Sequence, residues 1–149
     1  MHPVKTPAPF WTRWLQVVTL AVMGFGLLLV LFPQLTREGF SLLVYGNTAS
    51  IAAFDPKAVE YISLVHAVLG AVMVGWGTAL LLVVRGPFAS GAMEGWHIVA
   101  VSVAVWFVPD TLFSWWSGFW QNAVLNLVFV ILFTIPLAAS YKTFRAAPT

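Results

Sequence analysis

The chain has 149 residues, 60% of them hydrophobic and 8% charged, with a net charge of +2 and no cysteine. A soluble domain carries roughly 25% charged residues, so this chain lacks the polar side chains to cover a water-facing surface. The charges form no basic patch for nucleic acid, and the missing cysteine rules out disulfides, thiol catalysis, iron–sulfur clusters and cysteine–zinc sites.

Crossing a bilayer as a helix takes ~20 apolar residues. The Pro-rich start, residues 1–9, reads as a loose tail. The first long apolar stretch covers residues 14–32 and is stopped by Pro33. It exceeds the ~7–15 residues of a signal-peptide core, and Leu31-Phe32-Pro33 offers no small-residue cleavage pattern, so it reads as a retained helix. Residues 34–54 mix Phe40, Leu42, Leu43, Val44 and Tyr45 with Gly39, Gly46 and Asn47. That segment is too broken to span and predicts a short helix in the membrane interface.

A second crossing is predicted over residues 57–84, opened by Asp55-Pro56 and closed by Arg85-Gly86-Pro87. Asp suits the N-cap, and Pro suits the first helical position, where its missing N–H is not needed. The third crossing covers residues 92–116 and the fourth residues 122–141, followed by Lys142 and Arg145. The short link Ser117-Gly118-Phe119 makes the last two an antiparallel hairpin. The expectation is an all-α polytopic membrane protein. Residues 1–149 form a single integral membrane domain, a four-transmembrane-helix antiparallel bundle with one short interfacial segment.

Lys and Arg placement sets orientation. Lys5, Arg13, Arg85, Lys142 and Arg145 fall on one side of such a bundle; Arg37 and Lys57 fall on the other with Glu38, Asp55 and Glu60. The bias puts both termini in the cytoplasm. Trp115, Trp116 and Trp120 then form an outer aromatic belt, and Trp11, Trp14 and Trp96 an inner one. Helices in lipid associate by close packing at small residues. Ser63, Ala67, Ala71, Gly75 and Ala79 recur every four residues, and Gly70 widens this stripe. It predicts a face that meets another helix, of the same chain or of a partner.

An ionisable residue inside a span is costly and is a functional candidate. At ~1.5 Å per residue, His66 lies roughly 12 Å below the outer boundary and Asp110 roughly 7–10 Å. Asn122 and Asn126, one turn apart on the last helix, share that outer third. Pro109 removes the hydrogen bond to the Val105 carbonyl and is expected to kink or end its helix. Asn122 or Asn126 is a candidate partner for the freed carbonyl. Two readings stand for Asp110, His66, Asn122 and Asn126: a polar clasp between helices, or an outward pocket for a small ligand, lipid headgroup or ion. Glu94 and His97 share a face at the inner end of the third span and form a secondary candidate.

Between His97 and Asp110 the helix is apolar except for Ser102, so it offers no polar path across the membrane. His66 and His97 sit roughly 10 Å apart along the membrane normal and do not share one haem. No cofactor and no metal site is predicted. Ligation of one chlorin magnesium by His66 is the remaining option, with Gly70 one turn on leaving room.

The pattern of Gly26 to Pro33, Tyr61 to Gly77, Phe107-Val108-Pro109-Asp110-Thr111 and Asn122 to Asn126 resembles a family of small four-helix bacterial membrane proteins. The resemblance covers most of the chain. It implies a bacterial inner-membrane location and supplies no activity. With no catalytic set in view, the expected role is a non-catalytic accessory or structural subunit of a larger membrane complex, respiratory or photosynthetic hosts included. Its partners are then the bilayer, other membrane subunits or further copies of itself. The alternative is a ligand, lipid or ion binding or transport protein built around Asp110.

Overall fold

A computed structural model describes residues 6–145, and these are all-helical, with no strand. The α-helices are α1 (Pro9–Leu31), α2 (Pro33–Tyr45), α3 (Pro56–Val83), α4 (Met93–Trp116) and α5 (Trp120–Arg145). Four helices are long and apolar enough to span a membrane: α1, α3 with its extension to Phe88, α4 and α5. The expected tail lies partly outside the described residues; within them α1 has already begun at Pro9, earlier than the apolar stretch alone indicates. Its first turn is closed by the Trp11 and Thr12 amides donating to the Ala8 carbonyl at 3.0 and 3.5 Å.

Proline punctuates the chain for a different reason at each place. At Pro33 it opens α2 from the first helical position, and Gly46 closes that helix with φ 73°, its N–H donating to the Leu42 carbonyl. The Asp55 carboxylate accepts the Lys57 amide at 2.9 Å and caps the start of α3. At the far end, Pro87 has no N–H to give. The chain widens there into a π-type turn, Val84–Phe88, in which the Ala89 and Ala92 amides reach back to the Val84 and Pro87 carbonyls.

Pro109 was expected to kink or end its helix; α4 does not end there but runs on to Trp116. Pro136 is likewise inside α5. Membrane helices tolerate such prolines when a neighbour satisfies the carbonyl left free one turn back. For Pro136 that carbonyl belongs to Leu132, and the Trp14 indole N–H donates to it at 2.9 Å. Trp96 donates in the same way to the Leu137 carbonyl at 2.9 Å. Both indoles, expected as headgroup-level belt residues, spend their N–H on α5.

The chain divides into two compact units. Among the described residues, one comprises those up to Leu20 and from Thr78 to Arg145; the other is Ala21–Gly77. In the first, α4 and α5 run antiparallel, with polar contacts pairing Ser114 with Asn122, Thr111 with Asn126 and Trp96 with Leu137. Their turn is closed at Gly118, φ 81°, where the Phe119 and Gly118 amides donate to the Ser114 and Trp115 carbonyls at 2.8 and 3.2 Å. The core of this unit holds Leu15, Val84, Phe88, Val99, Phe133 and Phe144, with the Phe88 and Phe144 rings 4.9 Å apart. In the second unit, α1 and α3 touch backbone to backbone. A Cβ at Gly26 would lie 2.7 Å from the Gly70 carbonyl oxygen, so neither position has room for a side chain.

Candidate functional site

Three polar groupings occur on the spans. The first lies at the turn end of the α4–α5 hairpin. Asp110 and Ser114 are one helical turn apart on α4, and Asn122 faces them from the first turn of α5. The Asn122 side-chain amide donates to Asp110 Oδ1 at 3.1 Å and to Ser114 Oγ at 2.8 Å. Ser114 Oγ donates to its own Asp110 carbonyl at 2.7 Å and lies 3.4 Å from Asp110 Oδ1. One turn along, the Asn126 amide donates to Thr111 Oγ1 at 3.3 Å. Asn126 and Ser114 are buried, while Asp110 and Asn122 are half-buried. Neither Asn amide goes to the carbonyl freed by Pro109; both are engaged by side chains of α4.

Ser114 and Thr111 are therefore members of this cluster that the sequence reading did not include. Their signal was available: Ser114 is four residues past Asp110 on the same helix face. Both contacts on Asp110 go to Oδ1, and Oδ2 has no hydrogen-bond partner among the described residues.

His66, expected alongside Asp110, belongs to the second unit and has its own neighbours there. Its ring lies 4.9 Å from that of Phe40 on α2, and Phe40 in turn is 6.4 Å from Phe25 on α1. His66 Nδ1 is buried without a hydrogen-bond partner. One turn earlier on α3, Ser63 Oγ donates to the Val59 carbonyl at 2.8 Å and accepts a hydrogen bond from the Arg37 guanidinium. Arg37 was assigned only a place in the charge balance. Its half-buried side chain instead points from α2 to α3.

Glu94 and His97 are both exposed, Glu94 in the first turn of α4, where the helix dipole favours an anion. The His97 ring packs edge-on against Trp96 at 5.5 Å. Of the small-residue stripe, Ser63 and Ala67 are half-buried, Gly70 is buried against α1, and Ala71, Gly75 and Ala79 are exposed in the single chain. The room beside Gly70 invoked for a chlorin on His66 is filled: a Cβ there would lie 2.8 Å from Leu29 Cβ and 3.0 Å from Val30 Cγ2. Among the described residues no three His, Asp or Glu side chains are grouped to hold a metal ion.

Comparison of the chain with protein-family models, with curated proteins and with solved structures finds no match.

Proposed function

We propose that this chain is a non-catalytic multi-pass membrane protein that serves as an accessory subunit of a larger complex in a bacterial inner membrane. Its four long helices cross as an antiparallel bundle with both termini in the cytoplasm, and α2 lies at the outer interface. Respiratory and photosynthetic assemblies are the candidate hosts.

The observation that carries this reading is how the polar groups of the spans are used. Asn122 ties α5 to Asp110 and Ser114 on α4, Asn126 ties it to Thr111, and Trp14 and Trp96 tie α1 and α4 to α5 carbonyls. Interhelical polar contacts in membranes contribute about 0.6–2 kcal/mol each, which suits them to holding helices together. The outward faces are apolar, with Val101, Val105 and Leu112 on α4 and Leu127, Val128 and Ile131 on α5 exposed. Such a chain presents surfaces to lipid and neighbours and uses its chemistry to set its own shape. The orientation is supported by the meeting of Phe88, at the end of α3, with Phe144, at the end of α5. Arg85, Lys142 and Arg145 belong to the same two helix ends.

One observation favours a second reading. The free Oδ2 of half-buried Asp110 is an acceptor that a small cation or a ligand N–H would fill. Mild solubilisation of the native membrane, followed by native electrophoresis, separates the two. The subunit reading expects the chain to migrate with a larger assembly in fixed stoichiometry. It also expects Asp110→Asn to leave that unchanged, because the Asn carbonyl still accepts from Asn122. A chain that runs alone, and whose ligand uptake Asp110→Asn abolishes, contradicts it.

A further inference from the structure

Arg37 is out of keeping with its surroundings. On α2, Leu35 and Leu42 are exposed by 60% and 55%, whereas Thr36 and Ser41 are buried and Arg37 and Phe40 are half-buried. The helix is inside out for water: its leucines face outward and its cation faces α3. Thr36 and Ser41 are spent locally, Thr36 Oγ1 donating to the Phe32 or Pro33 carbonyl and Ser41 Oγ to the Asn47 carbonyl. Glu38, the acid next to Arg37, accepts instead from the Gln34 amide at 3.2 Å.

Among the described residues Arg37 has no ion-pair partner, and its one hydrogen bond goes to Ser63. A guanidinium has five N–H donors in a planar fork that matches phosphate, so most of its capacity is unused. A charge left unpaired at membrane depth is costly and marks a site where an anion is expected. Ser63 and His66, three residues apart on α3, line the same face beside it, and His66 Nδ1 is a buried ring nitrogen with no partner.

We propose that Arg37, Ser63 and His66 form a binding site for the phosphate group of an anionic lipid, with Arg37 as the charged anchor. Depth identifies the ligand class. The α3 span with its extension has 33 residues. At ~1.5 Å per residue it is roughly 50 Å long, against a hydrocarbon core of about 30 Å. Shared between the two ends, the excess leaves about 10 Å, roughly seven residues, beyond the core at the Pro56 end. Ser63 then comes at the edge of the hydrocarbon and His66 one turn below it, shallower than a count from the start of the apolar stretch gives, where the Arg37 fork reaches a lipid phosphate at the boundary. The exposed leucines of α2 then line the path of the acyl chains.

The test uses the full chain in mild detergent and native mass spectrometry. Dioleoylphosphatidylglycerol is the probe, and dioleoylglycerol, with the same tails and no phosphate, is the control. Retention of the phospholipid over the control by about tenfold or more is expected, and Arg37→Gln is expected to remove that preference. Arg37→Lys, which keeps the charge but not the fork, is expected to retain part of it. Inorganic phosphate at millimolar concentration separates two sources: a lipid that stays bound is itself the ligand, and a lipid displaced by phosphate points to a free phosphate compound at the same site. Equal retention by wild type and Arg37→Gln, or no preference over dioleoylglycerol, overturns the proposal. Should Arg37→Gln fail to fold, the wild-type melting temperature decides: a rise with the phospholipid alone supports the site, and an equal rise with both lipids overturns it.

Discussion

Gly70→Leu is expected to destabilise the folded chain by about 3 kcal/mol, at the upper end of what overpacking a tight site costs. A Cβ at this position would meet the Gly26 carbonyl oxygen, Leu29 Cβ and Val30 Cγ2, and a Cβ at Gly26 would meet the Gly70 carbonyl in return. Two glycines thus face each other with carbonyls in each other's space. The obstacle is backbone, which no rotamer change can move. The matched control is Gly75→Ala on the same helix, where nothing lies within 4 Å of the added carbon. It is expected to change stability by about 0.5 kcal/mol or less. Melting in detergent, with helicity followed by circular dichroism, reads both. If the two substitutions cost the same, the α1–α3 contact is not as close as described.

Gly95→Val is expected to have a comparable effect, about 3 kcal/mol, for a related reason. Gly95 sits in the first turn of α4, and its added Cβ would lie 2.7 Å from the Pro87 carbonyl carbon and 2.8 Å from Phe88 Cα. The widened turn that Pro87 imposes lies directly on the start of α4. Forcing them apart unseats Phe88, which is fully buried against Phe144. Gly86→Ala, in the same turn but with open space around it, is expected to be mild. Limited proteolysis at the α3–α4 connection, run beside the thermal melt, should show Gly95→Val cut early and Gly86→Ala protected like wild type.

The long helices were legible because length and apolar content alone define them. Their joints were legible where a residue has one use: Asp55 as a cap, Pro33 as the stop of α1, and the short link Ser117-Gly118-Phe119 as the turn between α4 and α5. Helix ends were less legible where polar residues continue a helix. At the end of α5, Lys142 and Arg145 suit the negative end of the dipole, and the helix runs four residues past the apolar stretch.

Apart from the meeting of Asp110 with Asn122 beside the short α4–α5 turn, contacts between helices were not legible, because they depend on how each helix is rotated. Repetition every four residues gains about 40° per step on a 3.6-residue helix. From Ser63 to Ala79 the small-residue stripe therefore turns away from α1, and only its beginning shares a face with Gly70. Arg37 illustrates the same limit. Charge counting placed it on a side of the membrane, but its tie to Ser63 depends on the rotation of α2. The pairing of Trp14 with the Leu132 carbonyl follows from Pro136, more than a hundred residues away in sequence, and no local pattern connects them.

Cysteine accessibility is the most direct check that the chain threads a bilayer back and forth. With no native thiol, each introduced cysteine reports without background. Thr48→Cys follows α2, Ser90→Cys lies between α3 and α4, and Ser117→Cys between α4 and α5. In intact cells a membrane-impermeant maleimide should label Thr48→Cys and Ser117→Cys, and Ser90→Cys only after permeabilisation. Labelling of Ser90→Cys and Ser117→Cys from the same side would mean that α4 does not cross, contradicting the four-span account at its base.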